Sequence, residues 1–412
     1  MLNNVNAVLQ AFAVLLKEVH APNMTSAIFD QNVFSSMIKK NNAGVTFKNE
    51  KIFIPTNTAG HSGVAFTGGY IADGAMQFDQ TEATAKYGYG SHILDDKQIE
   101  NIKTQGEAAL INIADKFAEG LNMSFARTTN RMMLGKGDGV VANFTAGASA
   151  TATHTVSETL SLIPGKRYVI GTLAAIKAGS GTVVTLQTIN GTPNSVTFTA
   201  PVTVANGDKI VTEGAYIGTA CQEYDGIGNL IDNESNAAGS SFQGKTRATN
   251  YWANSIVGGN GALTEAMVIA FVKNLTKYGK PDLLVTHPDL QLAYAAILQS
   301  VRTNSPQVKY MDLETGFKGI EVIYGNTSVP LVADWDAAKD TIFGLTTDTF
   351  SHAELCPLEA LEAANGGIWT DVYETVGGVT RRKAAYQTTM KMYGNLVCTN
   401  AMANGKLVGL TY

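Results

Sequence analysis

The chain has 412 residues; 45% are hydrophobic and only 16% charged, where soluble domains carry roughly 25%. That length allows two or three domains, and so little charge implies surface hidden against other subunits. A net charge of −5 argues against broad electrostatic capture of nucleic acid, and three widely spaced cysteines, Cys221, Cys356 and Cys398, read as reduced thiols of a cytosolic protein.

Val5, Val8/Leu9, Phe12, Leu15/Leu16 and Val19 recur at helical intervals, which predicts a short amphipathic helix. It packs on its own domain or docks as an arm on another subunit. No positively charged segment precedes it, as a leader requires, and no stretch reaches the roughly eighteen apolar residues of a spanning helix. From Gly44 to Gly90 the pattern is an extended two-arm ribbon. Val45, Phe47, Ile52 and Ile54 run out, Tyr87, Tyr89 and Ile93 run back, and Gly60-His61-Ser62-Gly63 forms the tip. Asp95 to Leu134 then reads as one long amphipathic helix. Ile99, Ile102, Gly106, Ala109/Leu110, Ile113, Phe117, Leu121 and Phe125 fall on one stripe of it, and the charged residues lie elsewhere on the wheel. The ribbon has no core of its own, so its apolar residues are expected to complete their burial on a neighbouring copy.

Past the turn Lys136-Gly137-Asp138-Gly139 the texture changes to Thr, Val, Ala and Gly. Short apolar runs at Tyr168 to Ile170, Val183 to Leu186, Val196 to Phe198, Val202 to Val204 and Lys209 to Val211 alternate with turn signals such as Pro164-Gly165 and Asn206-Gly207-Asp208. This spacing predicts a small β-sandwich or barrel inserted into the parent domain. The remainder is mixed. A helix is expected over Leu263 to Tyr278, a short buried strand at Leu283-Leu284-Val285 and a second helix opening at Pro288. Strands are expected at Ile320 to Tyr324, Thr341 to Leu345, Ile368 to Tyr373, Tyr386 to Cys398 and Lys406 to Leu410.

Motifs that suggest chemistry dissolve on inspection. Gly239-Ser240-Ser241-Phe242-Gln243-Gly244-Lys245-Thr246 matches the P-loop pattern letter for letter. A P-loop needs a buried strand before it and a helix after it, so that backbone N–H groups converge on phosphate; here Ile231 to Asn236 is polar and no helical period follows. Gly258-Gly259-Asn260-Gly261 lacks the strand and length of a dinucleotide fingerprint. The histidines His20, His61, His92, His154, His287 and His352 show no metal-ligand spacing. His287 follows a buried strand, where catalytic residues occur, but a capping role is the plainer reading. Cys356 beside Pro357 reads as a structural thiol. Asp334 and Asp336, flanking Trp335, are a candidate acid/base pair that more simply marks a turn. No catalytic, metal or cofactor residue is assigned.

The order of parts resembles the tailed-bacteriophage major capsid proteins of the Hong Kong 97 (Johnson) fold. Tyr224-Asp225-Gly226-Ile227-Gly228-Asn229-Leu230-Ile231 is similar to a Glu-Gly-Leu…Ile-Leu-Ile segment of that family, and Gly244-Lys245-Thr246-Arg247 with Tyr251-Trp252 to its Gly-Arg-Trp segment. Lys280-Pro281-Asp282-Leu283-Leu284-Val285-Thr286-His287-Pro288-Asp289 resembles the axial-domain strand-to-helix junction. Gly316 to Ile320, Val329 to Val332 and Tyr393 to Cys398 also fit.

The resemblance implies an α+β capsid fold covering all but the insertion. Its parts would be an N-terminal arm (1–40), E-loop (41–94), spine helix of the peripheral domain (95–139), β-rich insertion (140–218), connection (219–262), axial domain (263–350) and a return to the peripheral domain (351–412). It also implies a non-enzymatic protein without cofactor, assembled in the host cytoplasm into pentamers and hexamers of a virion shell around double-stranded DNA. Its partners would be other copies of itself, portal and scaffolding proteins and a decoration protein. The implied interface residues are Phe47, Ile52 and Ile54 on the loop, with Tyr87 and Tyr89 on its return. Some family members join an E-loop lysine to a neighbour's asparagine; Lys48, Lys51 and Lys86 with Asn395, Asn400 and Asn404 are the residues on offer, and non-covalent shells are expected. A nanocompartment shell shares the fold and is one alternative; a P-loop nucleotide-binding enzyme is the alternative of a different class.

Overall fold

A computed structural model describes residues 9–10, 33–40, 45–59, 77–105, 107–191, 194–235, 241–301, 311–312, 318–362, 368–376 and 379–412. The expected tip Gly60-His61-Ser62-Gly63 lies outside them, as does the N-terminal helix apart from Leu9 and Gln10.

A single strand, Val379–Cys398, organises one sheet. It pairs antiparallel with Phe350–Ala360, Trp369–Val376 and Lys86–Asp95, and Lys39–Lys40 adds a short parallel edge at Ser351 and His352. Against this five-stranded sheet lies the helix Glu107–Leu134, about 42 Å long at 1.5 Å per residue, preceded by the helix Asp96–Gln105. The long helix buries Leu121, Phe125, Ala126, Met133 and Leu134 in a core shared with Phe350, Met390, Met392 and Leu396 of the sheet. The 95–134 helix expected from the stripe is described as Asp96–Gln105 and Glu107–Leu134, with Gly106 outside the described residues.

A second sheet of seven strands runs in the order Ile256–Ala262, Gly405–Thr411, Ile342–Leu345, Leu283–Thr286, Thr327–Ala333, Lys318–Tyr324, Met311–Asp312. Leu283–Thr286 and Ile342–Leu345 are buried at every position, as central strands should be. The helices Glu265–Leu275 and Pro288–Val301 cover this sheet through Val268, Phe271, Val272, Leu290 and Tyr294. Thr264 caps the first of them, its hydroxyl accepting from the Met267 N–H at 3.3 Å.

The insertion is a barrel. Six strands run Val140–Asn143, Lys209–Thr212, Arg167–Gly171, Thr182–Gly191, Asn194–Val204, Ala148–Thr155, and a bridge between Phe144 and Val156 closes the last onto the first. Phe144, Tyr168, Leu186, Val196, Phe198 and Ile210 fill the interior. The two runs expected at 196–198 and 202–204 are one strand with an irregularity between them. Among the described residues no helix is long and apolar enough to cross a membrane.

The return arm of the ribbon ends earlier than the sequence pattern implies. Its described part consists of Thr46–Lys48, Lys51–Ala59 and Gln77–Thr84. Tyr87, Tyr89 and Ile93 belong to Lys86–Asp95, a member of the five-stranded sheet and not a returning arm.

Candidate assembly surface: the ribbon and its root

The expectation that the ribbon lacks an intrachain core is wrong at its root. Ile52 and Ile54 are fully buried and pack with Ala83 and Ala85 against Ala353 and Val397 of the five-stranded sheet. Alternation explains this: one face of the strand Lys51–Ala59 meets the subunit, so two of the five expected interface residues are internal. Phe47 remains 36% exposed and Tyr89 58% exposed. Tyr87 is half-buried; its ring meets Tyr393 edge-on at 4.8 Å. A hydrogen bond to Glu50 is the main cause pushing its hydroxyl up to about 12. The Tyr89 and Tyr393 hydroxyls lie 3.2 Å apart, and the Lys391 ammonium sits 5.5 Å over the Tyr393 ring while pairing with Glu359 at 2.9 Å. Three tyrosines therefore cluster where Lys86–Asp95 pairs with Val379–Cys398.

The root is fastened by residues that sequence reasoning assigned to other roles or to none. Asn395, fully buried, donates to the Thr84 carbonyl at 2.9 Å and to Asp225 at 2.7 Å, and accepts from the Asp225 N–H at 2.9 Å. On the other flank lies the P-loop look-alike. Its described part, Ser241 to Thr246, is a two-stranded hairpin with Gln243 and Gly244 at φ 44° and 79°. Positive φ at both central residues is the mark of a type I′ turn, not of a phosphate loop. Lys245 is bound to Asp79 of the ribbon, 2.7 Å from each carboxylate oxygen, and this hydrogen bond holds the Asp79 carboxyl below the usual range. The Thr81 hydroxyl donates to Gln243 Oε1 and the Glu82 N–H to the Gln243 carbonyl, both at 3.0 Å.

Arg247 anchors that hairpin to the body. Fully buried, its guanidinium donates to the carbonyls of Asp232 (2.7 Å), Leu230 (2.9 Å), Asn229 (3.1 Å) and Ala253, and stacks over Phe242 at 5.3 Å. Burial lowers its pKa to about 10. A planar fork of five donors suits four convergent carbonyls, which a lysine does not.

The other sequence candidates have structural partners. His287 Nδ1 accepts from the Asp289 N–H at 3.2 Å at the start of a helix, and burial lowers its pKa, so it caps. Burial and a hydrogen bond to Glu359 push the Cys356 thiol up to about 11, away from nucleophilic character. Asp334 and Asp336 do converge: Asn130 of the long helix donates to Asp334 at 3.0 Å and Asp336 at 2.7 Å, and burial raises both carboxyls. They tie helix to sheet. Nearby, a cleft of about 820 Å³ separates barrel from seven-stranded sheet; its Arg131 pairs with Glu223, and its Lys406 with Asp232 at 3.1 Å.

No family model and no curated protein matches the sequence. Solved structures do match nearly end to end. A chain of the cyanophage A-1(L) capsid asymmetric unit aligns over 94% of this chain and 92% of its own, with TM-score 0.50 and 12% identity. Gordonia phage Cozz matches over 92% and 86% (TM-score 0.41, 9% identity), and the capsid of Myoviridae phage XM1 over 91% and 90% (TM-score 0.38, 10% identity). The first of these carries the comparison of folds: this chain has the Hong Kong 97-like capsid fold, with a six-stranded barrel set in after the long helix.

Proposed function

We propose that this chain is a major capsid protein that assembles with copies of itself into pentamers and hexamers of a closed phage head around double-stranded DNA. The observation that supports it most is the likeness to a cyanophage capsid chain over nine-tenths of both molecules. The ribbon serves as E-loop, the helices Asp96–Gln105 and Glu107–Leu134 as spine, the five-stranded sheet, Lys86–Asp95 included, as peripheral domain and the seven-stranded sheet as axial domain. Phe47 and Tyr89, exposed on the subunit, meet the neighbour; Ile52, Ile54 and Tyr87 shape the root from behind. The work is mechanical, driven by burial of apolar surface and strand edges between copies, and the low charge fraction accords with it. Portal, scaffolding and decoration proteins are the partners such a shell takes, and the net negative charge suits DNA packed without tight binding. Electron microscopy of the purified protein tests the reading: closed shells support it, and a monodisperse small oligomer under all assembly conditions overturns it.

A further inference from the structure

The P-loop look-alike has a structural use that its sequence conceals. Three polar groups of the hairpin Ser241 to Thr246 engage the ribbon directly. Gln243 takes the Thr81 hydroxyl on its side chain and the Glu82 N–H on its carbonyl, and Lys245 holds Asp79. At Gly244, in the left-handed region at φ 79°, a Cβ would lie 3.1 Å from Glu82 Cγ, so the turn and the ribbon touch closely. The hairpin is itself immobilised, because Arg247 beneath it is bound to four carbonyls and stacked on Phe242. Rigidity thus passes from the buried core through Arg247 and the hairpin into Asp79, Thr81 and Glu82. Those three residues lie on the ribbon just before it turns down into the sheet at Lys86–Asp95.

We propose that the hairpin Ser241 to Thr246 is a clamp that sets the direction in which the ribbon leaves the subunit, with Lys245 as its ionic pin. Resting on the capsid reading above, that direction sets the curvature at which a second copy docks. The pin is the adjustable part. The Lys245 and Asp79 side chains are 29% and 38% exposed, so salt screens them, whereas the Gln243 contacts to the buried Thr81 are shielded.

The test reads the clamp and the assembly separately. Native-state hydrogen exchange at the Glu82 amide, which donates to Gln243, reports the clamp in the unassembled chain. Lys245→Met is expected to speed that exchange about threefold, as loss of a partly exposed ion pair should. The charge swap Lys245→Asp with Asp79→Lys is expected to restore it, and raising salt on the wild type is expected to imitate the single variant. Unchanged exchange in Lys245→Met, or a swap that fails to restore it, overturns the clamp. In assembly, Lys245→Met is expected to give shells with a broader spread of diameters than wild type. Wild-type diameters alongside faster exchange overturn the link to curvature. A wild type that forms no shells defeats the capsid reading alone, since the exchange measurement still decides whether the hairpin holds the ribbon.

Discussion

Gly90 lies flat against the ring of Phe125: a Cβ at position 90 would fall 2.5 Å from Phe125 Cε2 and 2.7 Å from Leu121 Cδ1. Sheet and long helix therefore meet with no space for a side chain at this point. Gly90→Ala should destabilise the subunit by about 1–3 kcal/mol through overpacking. Adding Phe125→Leu should recover part of that loss, because the two residues share one volume. Denaturant midpoints of the four proteins in this cycle measure the coupling; strictly additive losses would show that the contact is slack.

The ribbon separates two kinds of apolar residue. Phe47→Asp should leave the unfolding midpoint within about 0.5 kcal/mol of wild type, since Phe47 is exposed on the subunit, yet suppress closed shells. Ile54→Asp should instead cost roughly 3 kcal/mol or more, because it buries a charge among Ala83, Ala353 and Val397. Thermal unfolding and electron microscopy on both variants give the contrast. Normal shell yield from Phe47→Asp removes the ribbon from the interface.

The Asp334–Asp336 pair predicts a pH dependence of definite sign. Burial raises both carboxyls, so the folded state holds their protons more tightly than the unfolded chain does. Their cost to stability is absent below the unfolded carboxylate range, near pH 4, and grows as pH rises through the raised folded values. Asp336→Asn keeps an acceptor for Asn130 and should stabilise the protein at pH 7 by on the order of 1 kcal/mol. The gain should vanish below about pH 4. Unfolding curves at pH 4 and 7 check this; a gain independent of pH would point to some other cause.

How far the sequence could be read depended on what each segment packs against. Ile99, Leu121 and Phe125 of the long-helix stripe and the apolar run Leu283-Leu284-Val285 were legible because their pattern is set by their own burial. The barrel strand Ala148–Thr155 was not, since Ala-Ser-Ala-Thr-Ala-Thr-His-Thr carries no large apolar residue and is held by pairing to Asn194–Val204. Phe350–Ala360 was missed for a related reason: Cys356-Pro357 interrupts its pattern, and the structure places an irregularity of register there. Ile52 and Ile54 were located on the ribbon but assigned to the wrong partner, because alternation says which residues share a face and not what that face meets. Asp79 and Thr81 left no local signal at all, and Asn395 was offered only as a cross-link partner; their partners lie 166, 162 and 170 residues away.

The barrel should fold on its own. Its closure by the Phe144–Val156 bridge and its separate core predict that residues 140 to 218 alone are soluble, with a β-type circular dichroism spectrum and a cooperative melt. A random-coil spectrum would show that its strands need the parent body.

Assembled particles should be held without covalent bonds between subunits. Lys51 is paired with Glu82 at 3.0 Å, Lys86 donates to the Cys221 carbonyl at 2.6 Å, and Asn395 and Asn404 are fully buried and hydrogen-bonded within the chain. Boiling in detergent should release one band near 43.6 kDa. A ladder that survives reductant would reveal a link from Lys48 or Lys51 to Asn400, the members of the set still exposed.

The strand Val379–Cys398 has a consequence for synthesis. Tyr89 and its neighbour Tyr393 are 304 residues apart in the chain, so the ribbon's root gains its sheet partner only after translation has passed Tyr393. Until then the segment Lys86–Asp95 has an open edge, and closing so long a loop makes this pairing a late step. A nascent chain on the ribosome therefore cannot present a finished docking site to its neighbours. On the capsid reading, a subunit becomes competent to join a lattice only once that strand is made, and until then the open edge is a site where nascent chains could pair wrongly.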